Sequence, residues 1–421
     1  MNQIIFSRVI AGFGGGGLQL MSNVVIQDLV APQKRGQYQS YVSSVQTLGI
    51  ALGSPLGGFI TDTFGWRYCF KLNILPLIGI GYFYVFHFTN YNVVTEKKTD
   101  DGDHEVNNRK NNNNATVEHL LLWEKLGSID FLGAFILAVG NLAFAITVLL
   151  GGNTREWTDP LITATMVTTI LSFILFGLYQ TYWARSPLIS RTCIANRNVV
   201  FSSLAYFFIC MSNGSVDSTV PQFFMGVLGF STSQSGLWTM MNALAVPIGC
   251  YCAGNYIRYQ GRFLSMVILG FGFGSSLVSL LVAVTSDVSS KDVASAMSIM
   301  MLFRSMGLLY GTAIASSIIQ CNLKVLLESR INGPSAEQLI RFIRTSIREV
   351  HTLSPRLQQL VANVLGQSLQ KAYLFMALSC MVAILPILYL RDTNLKNEQP
   401  TAPNNKRITV AAVVAVTSDS S

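Results

Sequence analysis

Gly49-Ile-Ala-Leu-Gly53-Ser-Pro55-Leu-Gly57-Gly58-Phe-Ile60 carries no charge and lies in an uncharged run over residues 39–61. About 20 such residues, wound as a helix rising 1.5 Å per residue, cross the roughly 30 Å hydrocarbon core of a bilayer. In lipid every backbone polar group must be paired within its own segment, so a helix is the default. Glycines at this spacing let helices approach closely, and Pro55 kinks the helix that contains it.

The same reading extends along the chain. Apolar segments run over 3–26, 39–61, 68–89, 129–151, 160–182, 199–226, 236–256, 263–286, 293–320 and 371–390, about ten in all. The fold class is therefore all-α and transmembrane, without the alternating pattern of a membrane β-barrel. Only 12% of residues are charged, against about 25% in soluble domains, too few to cover a water-facing surface of this length. The net charge of +8 comes from basic residues scattered over short loops, as the positive-inside rule produces. Nucleic acid is excluded as a partner on that pattern. The seven cysteines lie mostly inside apolar runs, and Cys250-x-Cys252 is too tightly spaced for a usual zinc pair. No metal site, cofactor, Walker A sequence or enzymatic constellation is found, so the chain is read as a non-enzyme.

Lys and Arg orient the segments. The loop with Lys34 and Arg35, the stretch 91–128, the loop with Arg185, Arg191 and Arg197, and the loop with Arg258 and Arg262 are assigned to the cytoplasm. Asp62 and Glu156 then fall on the other side. Stretch 91–128, with Asn111 to Asn114 and many charges, reads as a disordered cytoplasmic linker. Stretch 322–370 is expected to be a non-cytoplasmic loop with amphipathic helices lying at the membrane surface. Residues 392–421 read as a disordered tail.

Two motifs carry a resemblance. Arg8-Val-Ile-Ala-Gly12-Phe-Gly14-Gly-Gly-Gly17 resembles the Arg-x-x-x-Gly-x-Gly signature of the fourth helix of the major facilitator superfamily. The stretch Gly49 to Gly58, running into Asp62-Thr-Phe-Gly65-Trp66-Arg67, resembles the glycine-proline antiporter motif of its fifth helix and the entry to the sixth. Asp28-Leu-Val-Ala-Pro32-Gln-Lys34-Arg35 is similar to the loop between them. Gly58 to Arg67 also resembles the loop motif between the second and third helices. That placement would put Lys34 and Arg35 outside, against the charge rule, so the fourth-to-sixth placement is preferred. Asp130 at a helix start, Gln234-Ser-Gly236, Arg304-Ser-Met-Gly307 and Ser354-Pro355 extend the likeness. The resemblance also implies that Asp287, Lys291 and Asp292 are cytoplasmic, which one crossing from Arg262 does not satisfy; a helix is expected to be missing near 261–264, the alternatives being that segment 263–286 re-enters or that the few loop charges mislead.

The resemblance implies a bundle of the major facilitator type, incomplete, in the fourteen-helix drug:proton antiporter group and most similar to fungal vacuolar basic amino acid transporters. It divides the chain into 1–90 (family helices four to six), the linker 91–128, two extra helices in 129–183, a C-terminal bundle 199–321, the loop 322–370 and a last helix 371–391. The family's first three helices and its eleventh are missing from this reading, so a chain lacking them is not expected to transport. Arg8, Asp217 and Arg304 are the candidates for proton coupling and gating, since a charge inside a membrane is expensive and marks a functional path. Gly12, Gly14, Gly49, Gly53, Pro55, Gly57 and Gly58 are expected to pack helices, and Asp28, Arg35, Asp62, Arg67 and Asp130 to serve the loop motifs. The implied activity is proton exchange with a small solute: basic amino acids entering the vacuole, with drug export at the plasma membrane, a sensor or an inactive fragment as the other readings. The implied partners are solute, protons and lipid, in a monomer.

Overall fold

The computed structural model describes residues 2–30, 32–87, 130–152, 154–184, 187–237, 240, 272–286, 288, 292–331, 336–345 and 354–390. The linker 91–128, the tail 392–421, Asn242, Cys250, Cys252, most of the segment expected at 236–256 and the discontinuity expected near 261–264 lie outside the described residues.

The helices are α1 (Asn2–Leu29), α2 (Pro32–Thr63), α3 (Trp66–Leu72), α4 (Ile74–His87), α5 (Phe131–Leu150) and α6 (Pro160–Tyr182). They are followed by α7 (Arg191–Ala195), α8 (Arg197–Gly226), α9 (Gly272–Ser286), α10 (Val293–Glu328), α11 (Ala336–Thr345) and α12 (Pro355–Leu388). Six of them are long and apolar enough to cross a membrane: α1 over Ile5–Ile26, α5, α6, α8, α10 over Ser295–Glu328, and α12. Their outer surfaces are apolar, with Phe13 82% exposed, as suits hydrocarbon as the surrounding solvent. Helix α2 has the length to cross but is more polar. It turns Gln39, Ser40, Ser43 and Thr47 inward, all buried, and Gln39 Nε2 donates to Asn23 Oδ1 on α1 at 2.7 Å.

The segment expected at 68–89 is two helices. Pro76 lacks an N–H, and its ring would clash with the carbonyl of residue 72 in a continuous helix. Accordingly α3 ends at Leu72, and α4 begins at Ile74. Gly65, at φ 88°, makes the turn from α2 into α3 in a conformation that favours glycine.

The centre of the molecule is the α8–α10 pair. A Cβ on Gly311 would run into the Met211 backbone, one on Gly307 into the Phe207 carbonyl, and one on Gly214 into Leu308. Three glycines thus bring two backbones into contact. Ser215 Oγ then donates across the seam to the Gly311 carbonyl at 3.0 Å. Contact numbers rise together on both helices, so α8 and α10 run parallel. Helix α12 runs antiparallel to them: Phe201 stacks on Tyr389 at 5.4 Å, while Cys380 Sγ donates to Ser212 Oγ at 3.2 Å. Pro221 does not break α8, which is continuous through Gly226.

These pairings sort the helix ends into two groups. At one end Cys193 Sγ lies 3.9 Å from the Asp292 carbonyl, and the Arg197 guanidinium lies 5.9 Å from the Tyr389 ring. At the other, Asp62 meets Ser233, and a Cβ on Gly152 would approach Cys321 Sγ at 3.4 Å. Helices α5 and α6 form a hairpin with capped starts. Asp130 Oδ1 accepts from Gly133 N at 2.8 Å, and its Oδ2 accepts from Gln180 Nε2 at 2.5 Å, tying the start of α5 to the end of α6. Asp159 caps α6, and the Leu161 backbone N–H holds its carboxyl below the usual carboxylate range. That cap is in place above the ordinary carboxylate pKa and is lost as pH falls through the lowered value.

Beyond the Asp62 end the segments expected at 293–320 and 371–390 are longer. Helix α10 continues to Glu328, and α12 starts at Pro355. Their added turns enclose Ile319, Leu323, Leu327, Val364 and Leu365 together with Ile340 and Ile343 of α11. The apolar face of α11 is therefore covered by protein, with Ile343 at 0% exposure, and not laid on a membrane surface. Arg356, Gln358, Gln359, Gln367 and Lys371 made this stretch read as loop, but Val361, Val364, Leu365, Leu369 and Ala372 continue the helical stripe with no proline among them.

Gly311→Ala is expected to destabilise the protein by about 1–3 kcal/mol by forcing α8 and α10 apart. Gly366→Ala, where a Cβ meets nothing within 4 Å, should be neutral or slightly stabilising. Denaturant titration of the two variants in detergent reads the difference.

Candidate functional site: the seam between the two halves

Helices α1 and α2 meet the helices after residue 190 along α9, which packs on α2, and at two further places. The first lies at the Asp62 end. A Cβ on Gly58 would lie 2.8 Å from the Thr232 carbonyl oxygen and 2.9 Å from Ser233 Cα; one on Gly236 would lie 2.8 Å from the Ser54 carbonyl oxygen and 3.0 Å from Pro55 Cα. Two glycines, one from each half, thus let the backbones touch. The Asp62 carboxylate accepts from Ser233 N at 2.9 Å, so an acid of one half caps the start of a helical turn of the other.

The second contact is at mid-depth. Arg304 lies eleven residues into α10 and Gln19 ten residues before the end of α1, each about 15 Å from its helix end. With its amide oriented oxygen-first, Gln19 accepts from Arg304 Nη1 at 2.5 Å and Nη2 at 3.1 Å. Arg304 Nε is buried and has no hydrogen-bond partner among the described residues. Beside this point Phe303 packs edge-on to Phe207 at 6.4 Å. Phe207 in turn meets Tyr310, whose hydroxyl donates to Asn141 Oδ1 of α5 at 2.7 Å.

The three charged candidates are not brought together. Gly307 lies level with Phe207 and Cys210, so Asp217 is about 15 Å farther along α8 than Arg304. Its Oδ2 accepts from Asn213 Nδ2 at 3.3 Å. Arg8 lies eleven residues from Gln19, about 16 Å toward the Asp62 end, and its guanidinium sits 5.0 Å from the Phe70 ring centroid. The one ion pair among the described residues is Arg155–Asp159 at 3.0 Å, exposed and so worth little.

Among the glycines expected to pack helices, Gly58 does so, with Pro55 against Gly236. At Gly12, Gly14, Gly49, Gly53 and Gly57 a Cβ would meet none of the described residues within 4 Å. Arg35 Nε donates to the Val30 carbonyl at 3.1 Å and closes the α1–α2 turn. Arg67 lies over Trp66 at 4.8 Å. Asp130 clamps the α5–α6 hairpin as described. The Asp28 side chain lies outside the described residues.

Gln19 and the Asn23–Gln39 pair were missed in the sequence. Their signal was there: Gln19 with Asn23, and Gln39, Ser43 and Thr47, recur at four-residue spacing within apolar segments.

Residues 1–317 match the family model described as Major Facilitator Superfamily. The chain is 25% identical to "Vacuolar membrane amino acid uptake transporter fnx2" of Schizosaccharomyces pombe, over 93% of this chain and 69% of that protein. It is 25% identical to "Vacuolar basic amino acid transporter 2" of Saccharomyces cerevisiae, over 93% of this chain and 86% of that protein. It is 26% identical to "Multidrug resistance protein fnx1" of Schizosaccharomyces pombe, over 85% of this chain and 70% of that protein.

Gly58→Leu is expected to lower transport by about tenfold or more, because overpacking of a close backbone contact costs about 1–3 kcal/mol. Gly57→Leu, where a Cβ meets none of the described residues within 4 Å, should stay within about twofold. Uptake into vesicles carrying equal amounts of each variant checks the contrast.

Proposed function

Because this chain belongs to the Major Facilitator Superfamily, a multi-pass membrane transporter of small molecules and not an enzyme, we propose that it exchanges protons for basic amino acids and carries them into the vacuole. The observation that carries this reading is the likeness to two vacuolar amino acid transporters along 93% of the chain, covering both halves. Arg8, Asp217 and Arg304 support it. They are the intramembrane charges a coupled transporter needs, since uncompensated charge in lipid is retained for function. Asp217 is the proposed proton carrier. Arg304 is proposed to gate, through the Gln19 contact, the movement of one half against the other. The Gly58–Thr232 and Gly236–Ser54 contacts with the Asp62–Ser233 bond are the proposed closure on the vacuolar side. A rocking of two halves about a central site requires such a contact to open and close. The division at 1–90 and 199–321 gives the two halves, with 129–183 as a hairpin added beside them. A monomer is the proposed working unit.

Export of drugs at the plasma membrane is the second reading, favoured by the likeness to the multidrug resistance protein. Labelled lysine, arginine and histidine should accumulate in ATP-energised vacuolar vesicles containing the protein expressed from its own gene, and a protonophore should abolish that uptake. Vesicles that take up none of the three, while cells carrying the protein extrude cationic drugs, would establish the second reading. Absence of both activities in correctly inserted protein would leave a membrane protein that does not transport.

Asp217→Asn is expected to reduce proton-driven uptake by at least about tenfold while leaving exchange of lysine for lysine at equal pH within about threefold. Loss of both would assign Asp217 to the structure of α8.

A further inference from the structure

We propose that Arg304 holds the carboxylate of the transported amino acid. The inference rests on the amino acid reading above and gives it a binding group. The starting point is a charge that no carboxylate among the described residues balances. Arg304 stands about midway through the membrane on α10, between α1 and α8, with Phe303 and Phe207 beside it. Its named partner is the neutral oxygen of Gln19. Its Nε is buried and unmatched.

No carboxylate of the described helices stands at that depth. Within the described membrane-spanning helices Asp217 is the acid away from the ends; Asp28, Asp62 and Glu328 stand at helix ends. Residues 238–271 contain neither Asp nor Glu. Asp217 itself is about 15 Å away along the axis. A guanidinium in surroundings of low dielectric and without an anion is costly, and it binds a carboxylate more strongly than it would in water. Its planar fork matches a carboxylate in a two-point contact. The Gln19 oxygen occupies two of the five N–H groups, so a carboxylate can join at Nε or replace the amide. An inorganic anion would satisfy the charge, but not the pairing of that charge with an amine-bearing solute.

The carboxylate is read at Arg304 and the proton at Asp217, which stands about 15 Å farther along the axis.

The test uses the protein expressed from its own gene, purified and reconstituted, with equilibrium binding of labelled lysine displaced by unlabelled lysine or by lysinamide. Lysinamide keeps both amines and the size but replaces the carboxylate with a neutral amide. Wild type should prefer lysine by about tenfold or more, as expected for a charge-assisted pair. Arg304→Gln should weaken lysine by about the same factor and leave lysinamide within about twofold, so the preference disappears. Arg304→Lys should keep a reduced preference. The preference is a ratio, so partial loss of folded protein leaves it unchanged. If Arg304→Gln weakens both compounds equally, Arg304 only holds α1 to α10, and the proposal is overturned. If wild type binds lysine and lysinamide alike, the carboxylate anchor fails while the amino acid reading stands. If wild type binds neither, the amino acid reading fails and the anchor with it.

Discussion

The approach of α8 to α10 sets the positions of the other helices around it. In a bilayer there is no hydrophobic drive between helices, because lipid tails are as apolar as leucine; close packing and interhelical hydrogen bonds hold them instead. Gly214, Gly307 and Gly311 remove the side chains that would keep these two backbones apart. Ser215 then reaches the opposite carbonyl. Around this pair α12 packs antiparallel, α9 covers the end near Asp292, and α5 brings its hairpin against Tyr310. Arg304 is held at its depth by the same pair, three residues before Gly307. Without the glycines the guanidinium would have neither this level nor this neighbour on α1.

The seam between the halves is built differently at its two levels. At the Asp62 end the contact is backbone on backbone with one carboxylate capping across it. At mid-depth it is a long cation on a neutral amide. The first has little tolerance for displacement, since a few tenths of an ångström separate contact from clash. The second can exchange one oxygen partner for another with only side-chain motion. A solute that competes with Gln19 thus acts on the pliable contact, while the rigid one governs access from the far side.

Much of the architecture was legible in the sequence. Apolar runs of about 20 residues located α1, α5, α6 and α8, because lipid leaves a helix as the one local solution. Loop charges at Lys34, Arg35 and Arg197 ordered the helix ends into the two groups seen. Arg304 and Asp217 stood out as intramembrane charges. What was not legible depends on partners. A glycine reads alike whether it meets a backbone, as Gly58 does, or open space, as Gly57 does one residue earlier. Pro76 signals the break after Leu72 only once the clash with the carbonyl four residues back is considered. The outer turns of α10 and α12 read as loop because polar residues there outnumber the apolar stripe, which has a purpose only when three helices are brought together. Gln19 carries no charge and so gave no sign that it faces a cation.

Those outer turns put two solvents on one helix. Helix α10, 36 residues and about 54 Å long, spends its first part in hydrocarbon and its last turns, with Leu323 and Leu327, in a small core facing water. In the first part, packing removes no apolar surface from water, so heat capacity changes little when contacts are lost. In the second, burial of Ile319, Ile340, Ile343 and Val364 is an aqueous hydrophobic effect whose strength fades on cooling. The cap over the Asp62 end is therefore the part of the molecule whose hold loosens in the cold, while the glycine seam beneath it keeps its grip.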